Sequence, residues 1–125
     1  MTDTLHHIQS SAELQKLFTS TTYLLIDFYA DWCGPCKTIA PIYANLSKKH
    51  SIPGILGFAK VNVDVARDIA AQNGISAMPT FLAFKEGKLV AVNGASQIRG
   101  ADVKALNAAA EKLGGLAKKK AEVKG

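Results

Sequence analysis

Two residues of this chain can exchange electrons with a disulfide: Cys33 and Cys36, the only cysteines present, stand in the run Trp32-Cys33-Gly34-Pro35-Cys36-Lys37. If these residues open a helix, Cys33 takes its first position and Cys36 lies one turn further in. The first N–H groups of a helix lack partners, and the aligned peptide dipoles place partial positive charge there, so a thiolate at that end is stabilised. Cys33 is therefore the candidate nucleophile. Cys36, on the same turn but deeper and expected to be less exposed, is close enough to close a small disulfide and is the candidate resolving thiol. Pro35 fits the first turn, where its missing N–H costs no helix bond and its fixed φ stiffens the loop. Metal binding is the weaker use of the pair. A structural zinc site takes four ligands, and His6, His7 and His50 would have to join without recognisable spacing, so no metal is expected.

The pair needs elements to hold it. Residues 23–29 form a β-rich run interrupted only by Asp27, which suits a strand buried on both faces at the centre of a sheet. A carboxylate at Asp27 loses hydration, which raises its pKa and favours the protonated acid near neutral pH. The plainer alternative is a carboxyl satisfied by local hydrogen bonds or by Lys60. The helix after the cysteines should run from Cys33 to about Lys49, with Ile39, Ile42, Tyr43 and Leu46 as its core stripe and a kink at Pro41. Upstream, residues 4–8 suit a short strand, and Ser10 with Glu13 forms a capping box ahead of a helix over residues 11–20.

Downstream, residues 55–64 read as a strand with Phe58, Val61 and Val63 toward the core, and Asp64 is placed to cap a short helix through Asn73. Residues 80–85 and 89–93 flank Glu86-Gly87 as a hairpin. Gly94 suits a bulge or close backbone approach near the cysteines. A last helix starts at Asp102, carries Val103, Leu106, Ala110 and Leu113 on one face, and is expected to stop at Gly114-Gly115. This divides the chain into a domain over residues 1–113 and a basic, flexible tail over residues 114–125.

The run from Tyr23 through Asp27, Trp32, Cys33 and Cys36 to Lys37 resembles the strand, active-site loop and helix start of the thioredoxin family. Gly74-Ile75-Ser76-Ala77-Met78-Pro79-Thr80 resembles the loop that faces the disulfide there. The resemblance covers roughly residues 5–113 and implies an α/β thioredoxin fold, a central mixed sheet of about five strands flanked by about four helices. It implies a protein-disulfide reductase working through a reversible Cys33–Cys36 disulfide, a cis bond before Pro79, and Asp27 behind Cys36 as its proton acceptor. Lys60, by strand pattern a solvated position, would by resemblance lie near that acid and tune it.

Trp32, Gly34, Pro35 and Pro79 would shape the site. Trp32, Ile75, Met78, Pro79, Gly94 and Ala95 would make an apolar docking surface, although Ile75 and Met78 also suit a core. The resemblance implies no bound cofactor: electrons arrive through a thioredoxin reductase, usually from NADPH, and leave to oxidised target proteins. Gly34-Pro35 matches the reducing branch of the family, whereas a histidine between the cysteines is common in oxidising relatives. Use as a non-catalytic partner subunit is the alternative from another class. Tyr29 stands where the family frequently has tryptophan.

Composition is consistent with this reading. The chain has 125 residues, 48% of them apolar, which suits one domain with one core and contains no apolar run long enough to span a membrane. No basic residue precedes Lys16, which argues against a signal or transit segment, and two cysteines at redox spacing suit a reducing compartment, so the cytosol is expected. The net charge of +5 divides into +2 through Leu113 and +3 beyond it, where Lys118-Lys119-Lys120 reads as a solvated terminus. No aromatic residue is interleaved there to stack a base, so neither a nucleic-acid nor a membrane partner is expected, and the chain should be a monomer.

Overall fold

A computed structural model describes residues 4–124; residues 1–3 and Gly125, which the sequence reading assigned to the domain start and the tail end, lie outside it. The elements are β1 (Leu5–Ile8), α1 (Ser11–Ser20), β2 (Tyr23–Tyr29), α2 (Gly34–His50), β3 (Leu56–Asn62), α3 (Arg67–Gln72), β4 (Thr80–Lys85), β5 (Lys88–Val90), β6 (Ile98–Arg99) and α4 (Val103–Lys124). Among the described residues the sheet has six strands, one more than expected, in the order β1-β3-β2-β4-β5, with β6 also on β4. β1, β3 and β2 run parallel, and β4 turns antiparallel to β2. β5 and β6 pair with opposite ends of the same edge of β4.

β2 is central because nearly every residue in it is apolar, and each face of the sheet is covered by helices. On one side Tyr23 and Leu25 join Phe58 and Phe81 under Ile39 and Tyr43 of α2 and Leu106 and Leu113 of α4. On the other, Leu24, Ile26 and Phe28 meet Leu14 and Leu17 of α1 and Ile69 of α3. Ser10 caps α1 as the sequence implied, with the Glu13 N–H donating to Ser10 Oγ at 3.2 Å, but the return bond of the capping box goes to the residue before the cap. Glu13 Oε1 in turn accepts the Gln9 N–H at 3.1 Å. The Glu86-Gly87 hairpin forms with both residues at positive φ, 52° and 79°.

Three expectations fail. Asp64 does not cap α3: the helix begins after Ala66 with no side-chain cap, and the Asp64 carboxylate is used elsewhere. Gly94 marks neither a bulge nor a close approach, since nothing lies within 4 Å of where its Cβ would be. It forms with Asn93 a tight turn, both at positive φ, closed by hydrogen bonds between Val92 and Ala95.

Nor does Gly114-Gly115 stop α4, which runs on to Lys124. Ala117 in the supposed tail is fully buried, and Leu116 and Ala121 pack on the core beside it. Gly114 has a different role: a Cβ there would lie 2.5 Å from His50 Nδ1, so the glycine lets the end of α2 press against the backbone of α4. The division into a domain and a flexible tail is thus replaced by one body whose last helix includes residues 114–124.

Candidate active site

The cysteines lie where β2 hands over to α2. Cys33 is the N-cap of the helix, one position earlier than expected, and Gly34 and Pro35 form its first turn. The cap is made by sulfur: Cys33 Sγ accepts the Cys36 N–H at 3.1 Å. This directs an otherwise unpartnered helix N–H at the atom that would carry negative charge in the reduced form. The two cysteines are joined in a disulfide with Cα atoms 5.3 Å apart. Exposure does not separate them as expected, since Cys33 is 5% and Cys36 4% accessible. Their difference is positional, because Cys33 holds the cap and Cys36 faces the sheet along the stripe continued by Ile39, Tyr43 and Leu46.

The loop Ile75 to Pro79 closes the site from the other side. The Met78–Pro79 bond is cis, as the resemblance implied, and the Met78 carbonyl oxygen lies 3.6 Å from Cys33 Sγ. Met78 is half-buried against Cys33, Cys36 and Ala30, whereas Ile75 leans on the core beneath α1 and α3. Trp32 is 68% exposed, and its indole N–H donates to Asp64 Oδ2 at 2.9 Å, which fixes the ring beside Cys33. Asp31 accepts a hydrogen bond from Asn62 Nδ2 at 3.3 Å.

Asp27 is 1% exposed, and its Oδ1 is buried with no hydrogen-bond partner among the described residues. It shares the sheet face of Tyr23 and Leu25, the face covered by the α2 stripe to which Cys36 belongs. Burial pushes its pKa up from the usual carboxylate range to about 7, with the Lys60 ammonium pulling the other way. Lys60 is its neighbour in the β2–β3 ladder and is half-buried, its Nζ held 4.4 Å above the Tyr29 ring. Lys60 is thus not a freely solvated side chain: its ammonium lies over the Tyr29 ring and acts electrostatically on Asp27. Tyr43 anchors α2 from the same side, its hydroxyl lying 2.9 Å from the carbonyl oxygens of both Leu25 and Ala59.

The structure brings together Cys33, Cys36, Trp32, Gly34, Pro35, Met78 and Pro79, with Asp27 and Lys60 on the central strands that lead to them. It does not bring Gly94 and Ala95 to this place. What meets Pro79 is β6: Arg99 pairs with Thr80, and the Gly100 N–H donates to the Pro79 carbonyl at 2.7 Å. The sequence contains two Gly-Ala pairs, Gly94-Ala95 and Gly100-Ala101, and the expectation stated above falls on the first. The second is the one at the site. A Gly-Ala pair directly before the Asp102 that starts α4 was the available signal.

The arrangement is that of a dithiol able to cycle with its disulfide at an electropositive helix end, beside a buried acid. Comparison with known proteins agrees. The family described as Thioredoxin matches residues 5–111. A thioredoxin-like protein of Fusarium culmorum is 66% identical over 116 residues, covering 93% of this chain and 96% of its own. A thioredoxin of Neurospora crassa is 57% identical over 125 residues, covering 100% of this chain and 98% of its own. Among solved structures, the thioredoxin of Malassezia sympodialis superposes with a TM-score of 0.76 at 35% identity, covering 90% of this chain and 93% of its own.

Proposed function

This chain belongs to the thioredoxin family and is a thiol–disulfide oxidoreductase that reduces disulfides in proteins, and on that premise we propose how its residues divide the work. The Cys33 thiolate attacks one sulfur of a target disulfide; a mixed disulfide forms and the other target sulfur leaves as a thiolate. Cys36 then loses its proton and attacks Cys33 Sγ, which releases the second target thiolate and leaves the Cys33–Cys36 disulfide. The target has gained two electrons and the pair has lost two. The observation that carries the assignment is the cap geometry: the Cys36 N–H points at Cys33 Sγ at the open end of α2, so charge on that sulfur is stabilised before any target arrives.

Asp27 takes the Cys36 proton and returns it when the pair is reduced. A pKa of about 7 leaves it near half-protonated at neutral pH, the condition under which one group can serve in both directions. Lys60 tunes that balance by favouring the carboxylate. Trp32, Gly34, Pro35 and Pro79 shape the approach to Cys33, and Met78 and Ile75 offer apolar surface to an extended target segment whose backbone pairs beside Met78.

Electrons return through a thioredoxin reductase drawing on NADPH, with no cofactor held by this chain. The protein acts as a monomer on oxidised proteins in the cytosol, a setting supported by cysteines that are confined to the redox pair. The test is reduction of a protein disulfide coupled to NADPH oxidation by a thioredoxin reductase, together with the potential of the pair against glutathione. Turnover that requires both cysteines and a potential on the reducing side are expected. A potential at the oxidising, isomerase-like end would overturn the reductase direction.

A further inference from the structure

The edge of the sheet that carries the disulfide has an ordered sequence of charges. Taken across the strands β3-β2-β4-β6, the side chains at that edge are Asp64 after β3, Asp31 and Trp32 after β2, Pro79 before β4 and Arg99 at the end of β6. Asp31 and Asp64 are bonded to neutral donors, an amide and an indole, so their charges are not cancelled. Arg99 is exposed, and its Nε donates to the neutral Gln97 Oε1 at 3.2 Å. It has no salt bridge among the described residues. Lys37, exposed on the first turn of α2, adds a cation beside the pair.

Arg99 is where it is for a structural reason. β5 and β6 form one interrupted edge strand, and the Asn93-Gly94 turn lets the chain leave β4 and return to it at Thr80. Pairing of Arg99 with Thr80, reinforced by the Gly100 N–H on the Pro79 carbonyl, fixes the residue beside the docking loop. β6 is two strands away from β2, which at the usual inter-strand spacing is about 10 Å, or about three residues of an extended segment.

We propose that Arg99 is a specificity-determining residue: it favours target disulfides that carry an aspartate or glutamate about three residues from the attacked cysteine, on the flank that reaches β6. The carboxylates at the other end of the row disfavour an acid on the opposite flank, so the charge row also sets the direction in which a target segment lies. This rests on the reading of the protein as a reductase of protein disulfides, and it names which of those disulfides are taken preferentially.

The experiment uses four disulfide peptides, identical except for a Glu or a Lys three residues before or three residues after the cysteine, with kcat/KM measured at low ionic strength. At one flank the Glu peptide should be preferred over its Lys counterpart by roughly two- to five-fold, the range of a single exposed charge pair. R99E should invert the preference at that flank only, R99K should keep it, and added salt should erase it. Arg99 joins β6 through its backbone, so the variants test charge with the strand retained. A Glu-to-Lys ratio of one at both flanks, or a ratio that R99E leaves unchanged, overturns the proposal while the reductase reading stands. Failure of the wild type to reduce any of the four peptides would instead refute the reductase reading.

Discussion

Replacing Asp27 by asparagine should stabilise the fold, by an amount that grows with pH. The native carboxyl has its pKa raised from 3.8 to about 7, chiefly by burial, so between those values the folded state holds a proton that the unfolded state has released. Stability associated with Asp27 is therefore complete below the unfolded value, declines as pH rises, and is lost above the folded one. At about 1.36 kcal/mol per pH unit, the penalty is about 1–2 kcal/mol near pH 5 and about 4–5 kcal/mol near pH 9. Asparagine removes the titration. Its amide brings donors that the site must satisfy, but that cost is independent of pH and only offsets the whole curve. Urea melts of both proteins across this range should thus diverge by about 3 kcal/mol, roughly 1–2 M in midpoint. Parallel curves would refute the reasoning, since they would mean that Asp27 has the same pKa folded and unfolded.

Ending the chain after Gly115 removes the buried Ala117 and the packed Leu116 and Ala121, so the truncated protein should lose about 1–3 kcal/mol in thermal or urea melts, with activity per folded molecule retained. Gly114→Ala should destabilise by about 1–2 kcal/mol although alanine is the better helix former, because the new Cβ meets the His50 ring. A second change, His50→Ala, should abolish that cost in a double-mutant cycle. Met78→Asp should weaken reduction of a protein disulfide far more than it lowers the melting temperature; large unfolding with unchanged activity per folded molecule would show Met78 to be a core residue.

What the sequence disclosed depended on whether the signal was local. Ser10 and Glu13 announce α1 because a capping box is complete within four residues, and Asp27 is conspicuous because its strand neighbours are apolar. The cysteine pair is legible for the same reason. Signals that depend on a distant partner are ambiguous in the sequence alone. A glycine pair that ends a helix looks identical to one that makes room for a histidine from another helix, and only the packing of His50 on Gly114 distinguishes them. Asp64 has the residue type of a cap, but the Trp32 indole takes its carboxylate. β6, two residues long, has no periodicity of its own, so which Gly-Ala pair reached Pro79 was settled by strand pairing alone.

Function in this chain turns on Cys33 attacking and Cys36 resolving. Mass spectrometry of each single variant, reduced and then mixed with an oxidised target protein, tests it most directly. Cys36→Ser should accumulate as a mixed disulfide with the target through Cys33, while Cys33→Ser should remain unmodified. Trapping by Cys33→Ser with none by Cys36→Ser would reverse the two roles.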